Sequence, residues 1–118
     1  MNQLALSFAP NAKAAPTAIV AQALARHRGA ANGIGVKALA LECLITERAA
    51  RLAVSELRMQ GIGVCGRPET GYFLSDSAQE LEQTCQFLRS RALKSLVLEA
   101  RMRHVALADL LGQLRIPT

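Results

Sequence analysis

The chain has 118 residues, 51% of them hydrophobic and only 3% aromatic, with 14 Lys and Arg against 9 Asp and Glu. A core drawn from Ala, Leu, Val and Ile favours closely packed helices over a sandwich of bulky strands, and a net charge of +5 suits a polyanionic partner. No uninterrupted apolar run reaches about 18 residues, so no membrane-spanning helix is expected.

Residues 1–16 are rich in Ala, Asn and Pro without periodicity and read as a loose N-terminal arm. A first helix follows, with Thr17 as N-cap, Ile19, Val20, Ala23 and Leu24 as its apolar face, and Arg26, His27 and Arg28 in its last turn, where cations favour the helix dipole. Gly29 and Gly33 break it, and Ile34-Gly35-Val36 reads as a minor strand. A second helix spans about Lys37 to Leu44, with Val36, Leu39 and Ala40 inward.

Thr46 then caps a third helix, since its hydroxyl can accept a free N–H of the first turn and Glu47 suits the positive helix end. This helix runs to about Gln60, where Gly61 stops it. Ala50, Val54 and Leu57 follow i, i+4, i+7 spacing and form a buried face. Glu47, Arg48, Arg51, Leu52 and Ser55 are left on or near the outer face.

Ile62–Cys65 and Gly71–Leu74 are short apolar runs around Gly66-Arg67-Pro68-Glu69-Thr70, a composition that makes a hairpin turn. Ser77 and Glu80 form a capping box that launches the longest helix, to about Met102. Leu81, Cys85, Leu88, Ala92 and Leu96 fall on one stripe of it, while Arg91, Lys94, Arg101 and Arg103 keep it solvated. A last helix, about Ala106 to Leu114, carries Leu107, Leu110, Leu111 and Leu114.

Leu39-Ala40, Ile45-Thr46-Glu47-Arg48, Arg51, Val54, Glu56-Leu57-Arg58, Gly61 and Gly71-Tyr72-Phe73-Leu74, in this order, resemble the winged helix-turn-helix superfamily. The nearest flavour is the N-terminal domain of biotin-repressor and DeoR-type regulators. The resemblance covers about a third of the chain tightly and, with the first helix, about half. It implies a mainly α fold with a small β-hairpin wing, the winged helix-turn-helix spanning 17–75; the arm over 1–16 and the helical extension over 76–118 are read from composition and periodicity, and residues 77–118 have no assignable counterpart in the family. It also implies that helix 46–60 enters the major groove of double-stranded DNA while the wing, 66–71, lies on the backbone. Arg48 and Arg51 fall at positions that reach bases or phosphates, Arg67 at the wing contact, and Thr46 at a cap hydroxyl that also meets phosphate. Ser55 completes the expected DNA-binding set. Bidentate arginine contacts to phosphate or guanine give the arginines their physical use. Arg26, Arg28 and Lys37 are read as ordinary surface charges.

Two positions depart from the pattern. Leu44 replaces the usual turn glycine, which predicts a looser or tilted turn, and Leu52 stands where a polar residue is common. Both support the alternative of a winged-helix module that docks a protein without binding DNA. A symmetric homodimer is expected through Leu88, Leu96, Leu107, Leu110, Leu111 and Leu114, because two half-sites are read by two-fold dimers.

No catalytic constellation is found, so an enzyme is not expected. Gly61-Ile62-Gly63-Val64-Cys65-Gly66 spells GxGxxG, but a helix precedes it and a strand follows, the reverse of a dinucleotide site. Cys43, Cys65 and Cys85 are odd in number and lack metal-ligand or disulfide-framework spacing, and His27 and His104 stand alone. Neither metal, cofactor nor small-molecule ligand is expected. The absence of a leader pattern and the free thiols point to the cytoplasm. The expected role is transcriptional or replication regulation in a bacterium or phage.

Overall fold

The computed structural model describes residues 15–114, so the expected arm over 1–16 lies almost wholly outside the described residues. Five α-helices and a two-stranded antiparallel hairpin make up the regular structure there. In order they are α1 (Pro16–Leu24), a 3-10 turn (Ala30–Asn32), α2 (Val36–Cys43), α3 (Glu47–Met59), β1 (Val64–Arg67), β2 (Gly71–Leu74), α4 (Ala78–Arg103) and α5 (Leu107–Gln113). They divide into two compact units, Met1–Leu81 and Glu82–Thr118.

In the first unit α1, α2 and α3 pack pairwise. Val20 and Leu24 of α1, Leu39 and Ala40 of α2, and Ala50, Ala53, Val54 and Leu57 of α3 fill a common core that Val64 of β1 closes. The i, i+4, i+7 spacing of α3 therefore buries the face expected of it, with Ala53 added. The small Ala side chains let the helices approach closely, which is how a chain poor in aromatics reaches close packing.

α1 differs from its expected form at both ends. Ala15 is its N-cap residue and Pro16 occupies the first turn, where a proline costs no hydrogen bond. Thr17 instead donates its hydroxyl proton to Glu56 of α3. The helix stops at Leu24, so Arg26, His27 and Arg28 lie beyond it. The reason is β2: Leu74 N–H donates to His27 O (2.8 Å) and Gly29 N–H to Leu74 O (2.9 Å), which pulls this backbone out of helix and against the strand.

The minor strand at Ile34–Val36 reduces to a single bridge. Ile34 and Tyr72 exchange two bonds, N–H to O, of 2.8 and 2.7 Å, and Val36 already belongs to α2. Thus β2 pairs with β1 along one edge (Val64 with Leu74, Cys65 with Phe73, Gly66 with Tyr72, Arg67 with Gly71) and with the α1–α2 connection along the other. β1 begins at Val64, two residues later than the apolar run from Ile62. Alternation along the hairpin buries both faces. Val64 faces the helical core with Tyr72 and Leu74, while Cys65 and Phe73 are buried on the other side.

α2, α3 and α4 all end the same way. At α2, Leu44 N–H reaches Leu41 O and Ile45 N–H reaches Ala40 O; at α3 the pairs are Gly61 to Arg58 and Ile62 to Leu57; at α4 they are His104 to Arg101 and Val105 to Ala100. This double closure satisfies the last carbonyls and needs a left-handed residue at its centre. Gly61 fills that place with φ 87°, but Leu44 and His104 both do so at φ 57°. The missing glycine therefore does not loosen the α2–α3 turn: Leu44 itself adopts the left-handed geometry, at a conformational cost of about 1 kcal/mol. Its side chain is 90% exposed and contributes no burial. Leu44→Gly is expected to stabilise the protein by about 1 kcal/mol in urea denaturation, and a variant less stable than wild type would show that the side chain is needed within the fold.

The launch of α4 also departs from a simple capping box. Glu80 N–H donates to Ser77 Oγ (3.1 Å) as expected. The Glu80 carboxylate, however, accepts from Asp76 N–H (2.8 Å) and from Ala30 N–H (2.9 Å), so it ties the α1–α2 connection to the start of α4. These two N–H donors hold its pKa below the ordinary carboxylate value. Among the described residues of the second unit, Ala100 and Leu110 are the buried apolar ones. Most of the expected stripe on α4 is uncovered: Leu81 and Leu88 are 42% and 41% exposed, Cys85 and Ala92 are exposed with them, and Leu96 is half-buried.

Candidate nucleic-acid interface

α3 is amphipathic over its whole length. With Ala50, Ala53, Val54 and Leu57 inside, the opposite face presents Arg48, Arg51, Leu52, Ser55 and Met59, all exposed. At 100° per residue these five fall within an arc of about 100°. From Arg48 to Ser55 the face is about 10 Å long at 1.5 Å rise per residue, and a helix about 10–12 Å across fits a major groove about 12 Å wide. Thr46 stands at its leading end. Its Oγ1 accepts from Ala49 N–H (3.0 Å), fixing the first turn while leaving the hydroxyl proton free to donate.

The charges on this face are lightly engaged. Arg51 pairs with Glu47 at 3.5 Å, both side chains being about half exposed. A pair of that kind contributes well under about 1 kcal/mol and yields to a stronger acceptor. Arg48 makes no ion pair among the described residues. Met59 belongs to the face although sequence reading did not select it; the signal was its position four residues beyond Ser55.

Arg67 ends β1 and is half-buried at the foot of the hairpin turn. Its N–H meets Thr70 Oγ1 (3.2 Å) and its carbonyl accepts Thr70 N–H (3.1 Å), so backbone bonds hold the turn and the guanidinium is not needed for it. Pro68 presets the backbone at the second turn position. Arg58 has a structural role: Nε donates to Val64 O (2.8 Å) and the guanidinium lies over Tyr72 at 5.9 Å, which ties α3 to the hairpin.

Arg26 pairs with Glu42, and His27 Nε2 lies 3.4 Å from the same carboxylate. The bonded Arg26 guanidinium, followed by His27, holds the Glu42 carboxyl below its ordinary pKa. Arg26 is therefore occupied within the fold, whereas Arg28 and Lys37 are exposed and make no ion pair among the described residues.

No family model, curated protein or solved structure matches the chain. Among the described residues no group of three or more His, Cys, Asp or Glu is placed to hold a metal ion, and no helix is long and apolar enough to cross a membrane. Gly61 to Gly66 follows α3 and runs into β1, the order that a pyrophosphate-binding turn does not have. Of the leucines expected at a dimer interface, Leu88, Leu111 and Leu114 are exposed at 41%, 38% and 36%, and Leu96 and Leu107 are half-buried. Leu110 is 2% exposed within the single chain, so it serves the chain's own packing and is withdrawn from that interface.

Proposed function

We propose that residues 17–75 act as a winged helix-turn-helix that binds double-stranded DNA, with α3 in the major groove and the β1–β2 turn on the backbone. The observation that carries this reading is the outer face of α3. Arg48, Arg51 and Ser55 project from one side of a helix whose opposite side is locked into a core, and Thr46 stands at its positive end. A rigid, half-buried helix presents arginines at fixed spacing without loss of backbone order on binding, which favours groove recognition. Arg67 on the hairpin and the basic balance of +5 add phosphate attraction. Regulation of transcription or replication is the role such binding serves.

A second reading has its own support. Leu41, Leu44, Leu52 and Met59 are 68%, 90%, 56% and 88% exposed, an apolar share that suits a protein partner better than a phosphate backbone. Fluorescence anisotropy on a labelled duplex of about 30 base pairs separates the two. DNA binding is expected at low salt, with the logarithm of affinity falling linearly against log salt as phosphates are contacted. No binding at low salt overturns the DNA reading and turns attention to these apolar residues.

A further inference from the structure

α4 has 26 residues, and within it only Thr84 and Ala100 are buried among the described residues. Cys85, Leu88, Ala92 and Leu96 recur at i, i+3, i+7, i+11 and lie on one stripe, continuous along the helix with Leu81. Leu88 is 41% exposed, and Cys85 and Ala92 are exposed beside it. Toward the C-terminus the stripe turns polar at Glu99, whose carboxylate bonds Arg103 Nε at 2.8 Å. Leu81 Cδ1 lies beside Gly63, so the uncovered apolar part is the run Cys85, Leu88 and Ala92.

The charges beside this run select its occupant. Glu82 and Arg89 are seven residues apart and border the same edge of the stripe; Thr84 and Arg91 border the other. Neither Glu82 nor Arg89 has an ion-pair partner among the described residues, Glu82 meeting only Gln86 (3.1 Å). When two copies of a helix lie antiparallel, each edge faces itself with its direction reversed. Glu82 of one copy then meets Arg89 of the other, and symmetry makes the pair twice. Setting Cys85 against Leu88 of the second copy makes two such apolar layers by symmetry, in the same register as the charge pairs. In a parallel pair opposite edges would meet, Arg89 would face Thr84, and Glu82 would find no cation at its level.

We propose that the partner of this face is a second copy of the chain, bound antiparallel through the N-terminal half of α4 and centred between Cys85 and Leu88. This places the contact on Cys85, Leu88 and Ala92, away from the terminal leucines of α5. The proposal stands apart from the DNA reading, because the association needs no nucleic acid.

Sedimentation equilibrium of the full chain without DNA tests it. The wild type is expected to dimerise reversibly with concentration. Glu82→Arg and Arg89→Glu each set like charges against one another twice and are expected to raise the dimer dissociation constant about tenfold. The double variant Glu82→Arg/Arg89→Glu restores both pairs with reversed sign and is expected to return to within about twofold of wild type. Recovery in the double variant also shows that neither single change acts through misfolding. A wild type that stays monomeric at the highest soluble concentration overturns the proposal. So does a dimer whose single variants are unaffected, or whose double variant fails to recover.

Discussion

Gly71→Ala is expected to cost about 3 kcal/mol or more of stability, a large part of what a domain of this size has. Two effects add. Gly71 has φ 73°, a left-handed conformation that costs a side-chain-bearing residue about 1–2 kcal/mol. A Cβ there would also lie 2.5 Å from the carbonyl carbon of Ile34, 2.6 Å from its oxygen and 2.8 Å from the nitrogen of Gly35. Those atoms are backbone, held by the two bonds between Ile34 and Tyr72, and they have no rotamer into which to retreat. Overpacking of that kind costs about 1–3 kcal/mol on its own. Gly61→Ala is the matched control, since Gly61 has φ 87° but a Cβ there would meet nothing within 4 Å. The control should lose only about 1 kcal/mol. Urea denaturation of both variants gives the comparison, and equal losses would remove the close approach from the explanation.

The second large effect follows from the proposed DNA-binding role of α3. Arg48→Ala/Arg51→Ala is expected to weaken duplex binding about 100-fold at low salt, taking each lost arginine contact at roughly 1.4 kcal/mol. The slope of log affinity against log salt should fall by up to about 2. Folding should change little, because both side chains are exposed and the one ion pair lost, Arg51 with Glu47, is half-solvated. A folded double variant that binds as tightly as wild type would remove α3 as the reading element. Salt dependence and affinity, measured on the same preparation whose helix content is checked by circular dichroism, decide the matter.

Much of the first unit was legible because its signals are local. Thr46 and Glu47 mark the start of α3, apolar spacing marks its buried side, and the outer arginines follow from that. Ser77 marks the start of α4, and Pro68 to Thr70 make the hairpin turn, while Gly66 and Arg67, expected in that turn, extend β1 instead. What was not legible depends on partners distant in sequence. The stop of α1 at Leu24 is imposed by β2, which captures His27 and Gly29. The shortening of the expected strand at Ile34 has the same source, because a single pair of bonds to Tyr72 is all that the edge of β2 accepts before α2 begins. Leu44 shows another limit. A glycine rule describes the cheapest occupant of a left-handed position, and the bonds to Leu41 and Ala40 are enough to hold a leucine there. For the site, exposure of Arg48, Arg51 and Ser55 could be read from periodicity, whereas the engagement of Arg58 with Val64 and Tyr72 needed the tertiary arrangement.

The shared edge of β2 bears on cooperativity. Its bonds to His27, Gly29 and Ile34 span about 38 to 47 residues of chain, and the Glu80 carboxylate adds a further bond to Ala30. The hairpin cannot open without releasing the α1–α2 connection, and that connection cannot loosen without exposing the hairpin. Native-state amide exchange should therefore report one protection energy for Ile34, Tyr72 and Leu74, at the level of the α3 core; distinctly faster exchange at the hairpin would show that the two open separately. On this topology the slender two-stranded element, which alone in water would be marginal, takes its persistence from the helices and unfolds when they do.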